Sequence, residues 1–395
     1  MDFRALRMMV VEDQTVQRKI AVRMLHNLGV QQVDEAEDGF QALTMLAARD
    51  IGPDVVLSDL RMPGMDGIEF LRELGQARPT TSVVLASGLD ANIVGAAEAV
   101  ARAEGLDVLG ALEKPLTPDK LGAVLRRYVP PEDRHSLTFD APLERAELEQ
   151  AIADGCIFAE FQPRVRVNDS EMTGAEALAR WRHGGRGRVP PSEFIPMAED
   201  CGLIDSLTWV MLDQGMAQAA RWKRMGEPWS VSVNLSLHYL GYNGAADRIA
   251  ALAERHCIEP HRIILEVTES LASTNASAVI ANLARLRMKG FGIAIDDYGT
   301  GYASLAQLSQ IPFSELKVDR TFVHGAADRP TLRALLSSCL ELARQLNLES
   351  VAEGVETNAD LSTLRQLGCD EVQGFLIARP MPAEELGAWI EKWTR

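Results

Sequence analysis

Beyond residue 143 the chain repeats one arrangement: a short apolar run, a polar residue at its end, then a helical stretch. Ser230-Val-Ser-Val ends in Asn234, and Ile263-Ile-Leu leads to Glu266 and, past Val267-Thr268, to Glu269. Gly292-Ile-Ala-Ile ends in Asp296-Asp297, and Glu315-Leu316 leads to Lys317 and Asp319. Ser350-Val-Ala ends in Glu353, and Glu371-Val372 ends in Gln373. Helical stretches such as Ala276 to Lys289 and Thr331 to Leu346 lie between them. The segment is long enough for eight strand-and-helix units, and a barrel of that kind builds its active site at the carboxyl ends of its strands, so the pattern predicts a (β/α)8 fold.

The polar residues at those ends are of one chemical kind. Asp296 and Asp297 close a β-branched run and precede a loop whose Gly299 and Gly301 free the backbone. Neighbouring strand residues point opposite ways, but at a strand end the twist relaxes, so both carboxylates can turn into one site and hold one or two hard cations. Glu176, Glu266 and the amide oxygen of Asn234 add further oxygen donors, with no His or Cys among them. That set suits Mg²⁺ or Mn²⁺ and not zinc. Lys317 and Glu353 complete a site for hydrolysing a phosphate ester, where metals activate water and neutralise charge on the phosphorus oxygens. A lone acid at a strand end more often caps a helix or pairs with a cation. Many such groups in one mouth would repel each other and lose hydration without a ligand, which favours the site.

A chain of 395 residues admits two or three domains, unless one barrel takes more than half of it. The formal charge of -16 argues against binding a nucleic-acid polymer and means that a phosphate substrate needs cations or local Arg and Lys. Five cysteines, at 156, 201, 257, 339 and 369, show no Cys-x-x-Cys spacing, so neither a disulfide framework nor a zinc site is expected. Without an apolar leader or a run approaching eighteen apolar residues, a cytoplasmic protein with no membrane span is expected.

From Arg7 to Tyr128 apolar runs (Met8 to Val11, Val55 to Ser58, Ser82 to Ala86, Val108 to Leu112) alternate with amphipathic segments such as Gln41 to Ala48. This predicts a doubly wound parallel sheet with its function at the carboxyl ends of the strands. Those ends carry Glu12-Asp13, Asp59, Ser87 and Lys114-Pro115. Crowded carboxylates call for a divalent ion, and a phosphoryl group on one of them would need that ion, a hydroxyl donor and a lysine. Taken singly, Glu12-Asp13 could cap a helix and Lys114 could be a solvated loop residue.

With Asp59-Leu-Arg-Met-Pro-Gly-Met-Asp-Gly after the third strand, residues 1–128 resemble the receiver domain of bacterial response regulators, a flavodoxin-like fold. The resemblance implies phospho-acceptance at Asp59 from a sensor histidine kinase. It also implies Mg²⁺ at Glu12, Asp13 and Asp59, phosphate contacts from Ser87 and Lys114, and a cis peptide before Pro115. Ala111 stands where family members carry a Tyr or Phe whose rotamer reports phosphorylation, so readout through the last helix or a domain interface is expected. Residues 129–142, with Pro130-Pro131-Glu132-Asp133-Arg134-His135, read as a linker.

Residues 143–395 carry Glu176-Ala-Leu within an ordered set: Gln162-Pro163, Arg180-Trp181, Asn234-Leu-Ser, Glu266-Val-Thr-Glu269, Asp296-Asp-Tyr-Gly-Thr-Gly-Tyr, Lys317-Val-Asp319, Glu353-Gly-Val-Glu356-Thr and Gln373-Gly-Phe. The set resembles the EAL domain, the bacterial phosphodiesterase of cyclic di-GMP, a TIM-like barrel. By that resemblance Glu176, Asn234, Glu266 and Asp296 bind a first metal, Mg²⁺ or Mn²⁺, and Asp297 joins a second. Lys317 and Glu353 serve the attacking water, and Glu269 holds the loop from Asp297 to Leu305. Gln162, Leu178, Arg180 and Gln373 line the dinucleotide site, with the arginine at a phosphate, and a homodimer or higher oligomer is implied. Tyr298 and Ala303 depart from the usual Phe and Ser, and neither is a ligand. No Gly-Gly-Asp-Glu-Phe or Gly-Gly-Glu-Glu-Phe sequence of the corresponding cyclase is present.

The leading expectation is a cyclic di-GMP phosphodiesterase that yields linear pGpG under receiver control. Its alternatives are a barrel that binds the dinucleotide without cleaving it, and a regulator whose output is partner contact alone. Turnover separates the first from both.

Overall fold

The computed structural model describes residues 3–49, 52–78, 81–89, 91–128, 143–268, 276–299, 308 and 310–393. The chain divides into two compact units, Met1–Thr138 and Phe139–Arg395. The expected linker, Glu269, and residues 300–307 with Gly301 and Ala303 lie outside the described residues. No helix among the described residues is long and apolar enough to cross a membrane.

The first unit is a parallel sheet of β1 (Arg7–Val11), β2 (Gln32–Ala36), β3 (Val55–Asp59), β4 (Ser82–Ser87) and β5 (Asp107–Glu113), in the order β2-β1-β3-β4-β5. Helices α1 (Thr15–Asn27), α2 (Gly39–Ala47), α3 (Gly67–Ala77), α4 (Ala91–Ala103) and α5 (Pro118–Leu125) connect and follow the strands. Successive strand residues serve opposite faces: Met8 and Val10 pack with Leu25, Leu121 and Leu125, while Met9 and Val11 pack with Leu46, Phe70 and Leu74. The edge strand β2 is half exposed, and its apolar residues Val33 and Ala36 are separated by Asp34 and Glu35, which is why no apolar run marks it in the sequence. The order reverses between β1 and β3, the point at which folds of this kind gather their functional groups at the carboxyl ends. Asp66 caps α3 by accepting from the Ile68 and Glu69 amides. Gly67 lets that helix start lie against the third strand's end, since a Cβ there would sit 2.5 Å from the Asp59 carbonyl oxygen.

The second unit is a closed barrel. Its sheet runs β6 (Ile157–Arg166), β14 (Glu371–Val372), β13 (Glu349–Ala352), β12 (Glu315–Val318), β11 (Gly292–Tyr298), β10 (Ile263–Thr268), β9 (Ser230–Asn234) and β7 (Met172–His183), and β6 pairs with β7 to close it. The short β8 (Gly187–Val189) extends β7 outside the ring. One strand departs from an all-parallel barrel: β6 is antiparallel to both neighbours. The connection 167–171 is too short for a crossover helix, so β6 and β7 form a hairpin. On the other strands Val231 and Val233, Ile263 and Leu265, Ile293 and Ile295, Leu316 and Val318 face outward into the core shared with the helices. By the period of two, Asn234, Glu266, Asp296 and Lys317 face inward.

Candidate active site

Seven barrel strands each deliver one inward polar side chain at or just past the carboxyl end or, for the antiparallel β6, at the same level. These are Gln162, Glu176, Asn234, Glu266, Asp296, Lys317 and, just past β14, Gln373, with Glu353 added immediately after β13. The ammonium of Lys317, 1% exposed, stands at their centre. Its Nζ lies 2.6 Å from Glu353 Oε1, 2.9 Å from Glu266 Oε1, 3.0 Å from Asp296 Oδ1 and 3.6 Å from Glu176 Oε2. These are ion-pair distances with poor angles: Lys317 Nζ, both Glu266 oxygens, Asp296 Oδ1 and Glu353 Oε1 are buried without a hydrogen bond.

One cation does not balance these acids. Burial pushes Glu266 well above the ordinary carboxylate range, with Glu176 adding to it, and pushes Glu353 up to about 8 against the pull of Lys317. Asp297 rises to about 6 through burial and the neighbouring Asp296. Glu176 moves down, because Lys317 and hydrogen bonds from Gln373 and Asn234 outweigh its burial. For Lys317 burial favours the neutral amine, yet Asp296, Glu176, Glu266 and Glu353 raise it well above the ordinary lysine value. Buried carboxylate oxygens without hydrogen bonds, all hard donors without His or Cys among them, fit a divalent cation of the magnesium type. One oxygen each from Asp296, Asp297 and Glu353 lies within 4.8 Å of the others. The cause is at Asp297, whose φ of +53° is left-handed, so two neighbours that would diverge on a regular strand converge.

Hydrogen bonds set the acids' orientation. Gln373 Nε2 donates to Glu176 Oε2 at 2.7 Å and to Gln162 Oε1 at 3.1 Å, Gln162 Nε2 donates to the Ala378 carbonyl at 3.0 Å, and Asn234 Nδ2 donates to Glu176 Oε1 at 3.1 Å. The loop that carries Gln373 packs tightly on the one after Glu353: a Cβ on Gly374 would meet the Val355 amide nitrogen at 2.2 Å. Beside the acids lies a largely apolar hollow of about 630 Å³ lined by Leu178, Arg180, Ile195, Leu207, Asn234 and Glu266, a size suited to a small organic ligand. Arg180 Nε donates to Glu160 at 2.8 Å, which holds the guanidinium at the rim.

In the first unit, Glu12, Asp13 and Asp59 each bring an oxygen within 4.8 Å of the others. Lys114 Nζ donates to Glu12 Oε2 at 2.6 Å and to Asp59 Oδ2 at 2.5 Å, and its bond to Pro115 is cis. Burial raises the Glu12 carboxyl, with Lys114 opposing. Ser87 is buried at the end of β4, and its backbone carbonyl accepts from the Lys114 amide. Ala111 lies exposed on β5.

The EAL domain model matches residues 145–380, and the response regulator receiver domain model matches residues 8–126. The chain belongs to the EAL domain family, with a response regulator receiver domain at its N-terminal side. Cyclic di-GMP phosphodiesterase RocR of Pseudomonas aeruginosa is 35% identical over 387 residues, covering 96% of this chain and 97% of RocR. The bifunctional diguanylate cyclase/cyclic di-GMP phosphodiesterase MucR of the same organism is 43% identical over 245 residues, 62% of this chain and 36% of MucR. The structure of the PaMucR phosphodiesterase in its c-di-GMP complex superposes with a TM-score of 0.58 at 42% identity, covering 61% of this chain and 98% of that one.

Sequence reasoning passed over Arg164, Glu315 and Glu371, which the EAL barrel buries beneath the mouth. The signal was present as spacing: each stands two residues from a mouth residue, Gln162, Lys317 or Gln373, and so shares its inward face.

Proposed function

We propose that the EAL domain hydrolyses cyclic di-GMP to linear pGpG in a divalent-metal-dependent reaction, and that phosphorylation of Asp59 regulates it. The carrying observation is the ring of buried carboxylate oxygens around Lys317, outnumbering the one cation and lacking hydrogen bonds, next to a largely apolar hollow. Glu176, Glu266, Asp296 and the Asn234 amide oxygen would hold a first Mg²⁺ or Mn²⁺, and Asp297 a second. Bound there, such ions supply Lewis acidity toward a phosphate ester and make water more acidic.

The chain's own groups do the rest. Arg180 at the rim is suited to a phosphate oxygen through its fork of donors, and Leu178 with its apolar neighbours to a base face. Glu353, 2.6 Å from Lys317 Nζ, would accept the proton of the attacking water once its own has left on metal binding. Water adds to phosphorus, the bond from phosphorus to the 3′ oxygen breaks, the departing 3′ oxygen takes a proton from solvent to become a hydroxyl, and the phosphate stays on the 5′ oxygen. Lys317 offsets charge that grows on the phosphate oxygens. Gln162 and Gln373 keep Glu176 aligned. In the receiver, a phosphoryl group on Asp59 would meet Lys114 and the Ser87 hydroxyl, with Mg²⁺ held by Glu12, Asp13 and Asp59 and a sensor histidine kinase as donor. A homodimer or higher oligomer belongs to the same reading.

Purified protein incubated with cyclic di-GMP and Mg²⁺ should release pGpG, read by chromatography, and should stop on chelation. Dinucleotide binding without any product would overturn the enzyme reading in favour of a sensor.

A further inference from the structure

Below the mouth, the barrel's inner face is charged where barrels of this kind are filled by branched apolar side chains. Arg164 follows Gln162 by two residues on β6, Glu315 precedes Lys317 by two on β12, and Glu371 precedes Gln373 by two. Three strands therefore carry a polar group in the mouth and a second one a layer down. Arg164 is 2% exposed. Its Nη1 donates to Glu315 Oε2 at 2.7 Å, its Nη2 donates to Ser230 Oγ at 3.1 Å, and its Nε lies 3.6 Å from Glu371 Oε2.

Ladder register explains how one side chain reaches so far. Arg164 pairs with Gly174 on β7, and Gly174 pairs with Ser230 on β9, so the guanidinium reaches β9 past a residue with no side chain. A Cβ on Gly174 would sit 2.5 Å from the Ser230 carbonyl oxygen. Between floor and mouth, Ser232 is fully buried and its hydroxyl has no hydrogen bond, and neither Glu266 oxygen has one. Across this layer the Glu266 carboxylate still acts electrostatically on the Arg164 guanidinium.

A buried ion pair is a poor source of stability, because well-packed apolar residues of similar volume do as well or better. What it does supply is geometry: the forked guanidinium donates to Glu315 and Ser230 in fixed directions and keeps Glu371 at ion-pair distance. We propose that Arg164 is a positioning residue for the EAL reaction, tying β6, β9, β12 and β14 together so that Lys317 and Gln373 meet the acids above. This rests on the hydrolytic reading of the mouth.

The test uses the full chain with cyclic di-GMP and Mg²⁺, each variant assayed well below its own melting temperature. Arg164→Met is expected to lower kcat by about tenfold to a hundredfold with KM within about threefold, and to weaken Mg²⁺ binding, read by calorimetry, by about tenfold. Arg164→Lys keeps the charge and one contact and should recover part of the loss. Glu315→Gln should resemble Arg164→Met, and the double variant should lose no more than the worse single one. If Arg164→Met does not fold, Arg164→Lys and Glu315→Gln carry the test. A folded variant with wild-type kcat and wild-type Mg²⁺ affinity overturns the proposal whatever its melting temperature, as does a loss confined to KM. Should the wild type itself hydrolyse nothing, the functional reading fails, and Mg²⁺ affinity alone then decides the role of Arg164.

Discussion

The amide nitrogen of Gln373 donates to the Glu176 carboxylate across the barrel mouth at 2.7 Å, joining residues 197 positions apart in the chain. The same nitrogen donates to Gln162, so one side chain aligns an acid and a second amide. Gln373→Ala is expected to leave Glu176 held only by Asn234 and Lys317 and to lower kcat by about tenfold or more, as removal of a ligand-orienting partner does. Steady-state kinetics at saturating Mg²⁺ check it. A variant with wild-type kcat would remove Gln373 from the alignment.

Chemistry and binding should separate by residue. Several kcal/mol of charge stabilisation corresponds to about a thousandfold in rate, so Glu176→Ala should lose at least about that much kcat while the barrel stays folded. Glu353→Gln should lower kcat by about a hundredfold or more with little change in KM. Arg180→Ala should instead raise KM by about tenfold to a hundredfold through loss of a charge-assisted contact. Paired kcat and KM values, with circular dichroism as the folding control, decide each case.

Metal binding should release protons. In the metal-free protein Glu353 keeps its proton up to about pH 8 and Asp297 up to about pH 6, far above ordinary carboxylates. A cation takes only the charged carboxylates, so those protons must leave first. Mg²⁺ affinity is therefore expected to climb as pH rises from 6 to 8 and to flatten above that. Folded pKa values raised above the unfolded ones also make the metal-free fold lose stability as pH rises through the same window, and Mg²⁺ should restore it. Calorimetry in two buffers of different ionisation enthalpy reads the released protons directly. Equal heats in both buffers would contradict the prediction.

At Asp297 the backbone φ of +53° separates conformation from charge. Asparagine tolerates this region and a β-branched residue does not. Asp297→Asn should keep the melting temperature close to wild type while weakening metal binding, whereas Asp297→Val should also destabilise by about 1–3 kcal/mol. Thermal melts of the two variants side by side provide the comparison.

Coupling from the receiver is tested with a phosphate mimic. Beryllium fluoride should change turnover in the wild type, and Asp59→Ala should keep basal turnover and lose the response, because the mimic needs that carboxylate. A response of equal size in Asp59→Ala would show that the receiver is not the input.

Much of this was legible in the residues themselves. The alternation of apolar runs with helical stretches and the polar group closing each run follow from local periodicity and burial, and these implied both domains and the acids, amides and lysine of the two sites. Motif order then pointed to the receiver and EAL families. Tertiary structure alone decided the rest. The antiparallel β6 depends on which strands close the ring, the convergence of Asp296 with Asp297 on one left-handed residue, and the pKa of Glu353 on burial and on the charges of Lys317, Asp296 and Glu176 brought from three other strands. Arg164 is the clearest case. In the sequence it is one of the alternating polar residues Glu160, Gln162, Arg164 and Arg166, and its role exists only because Gly174 and Ser230 on the next two strands leave it room, while Glu371 on the adjacent β14 and Glu315 on β12, further round the ring, meet it from the other side. Local sequence sets period and propensity, whereas electrostatics and packing act through space between residues that the chain holds far apart.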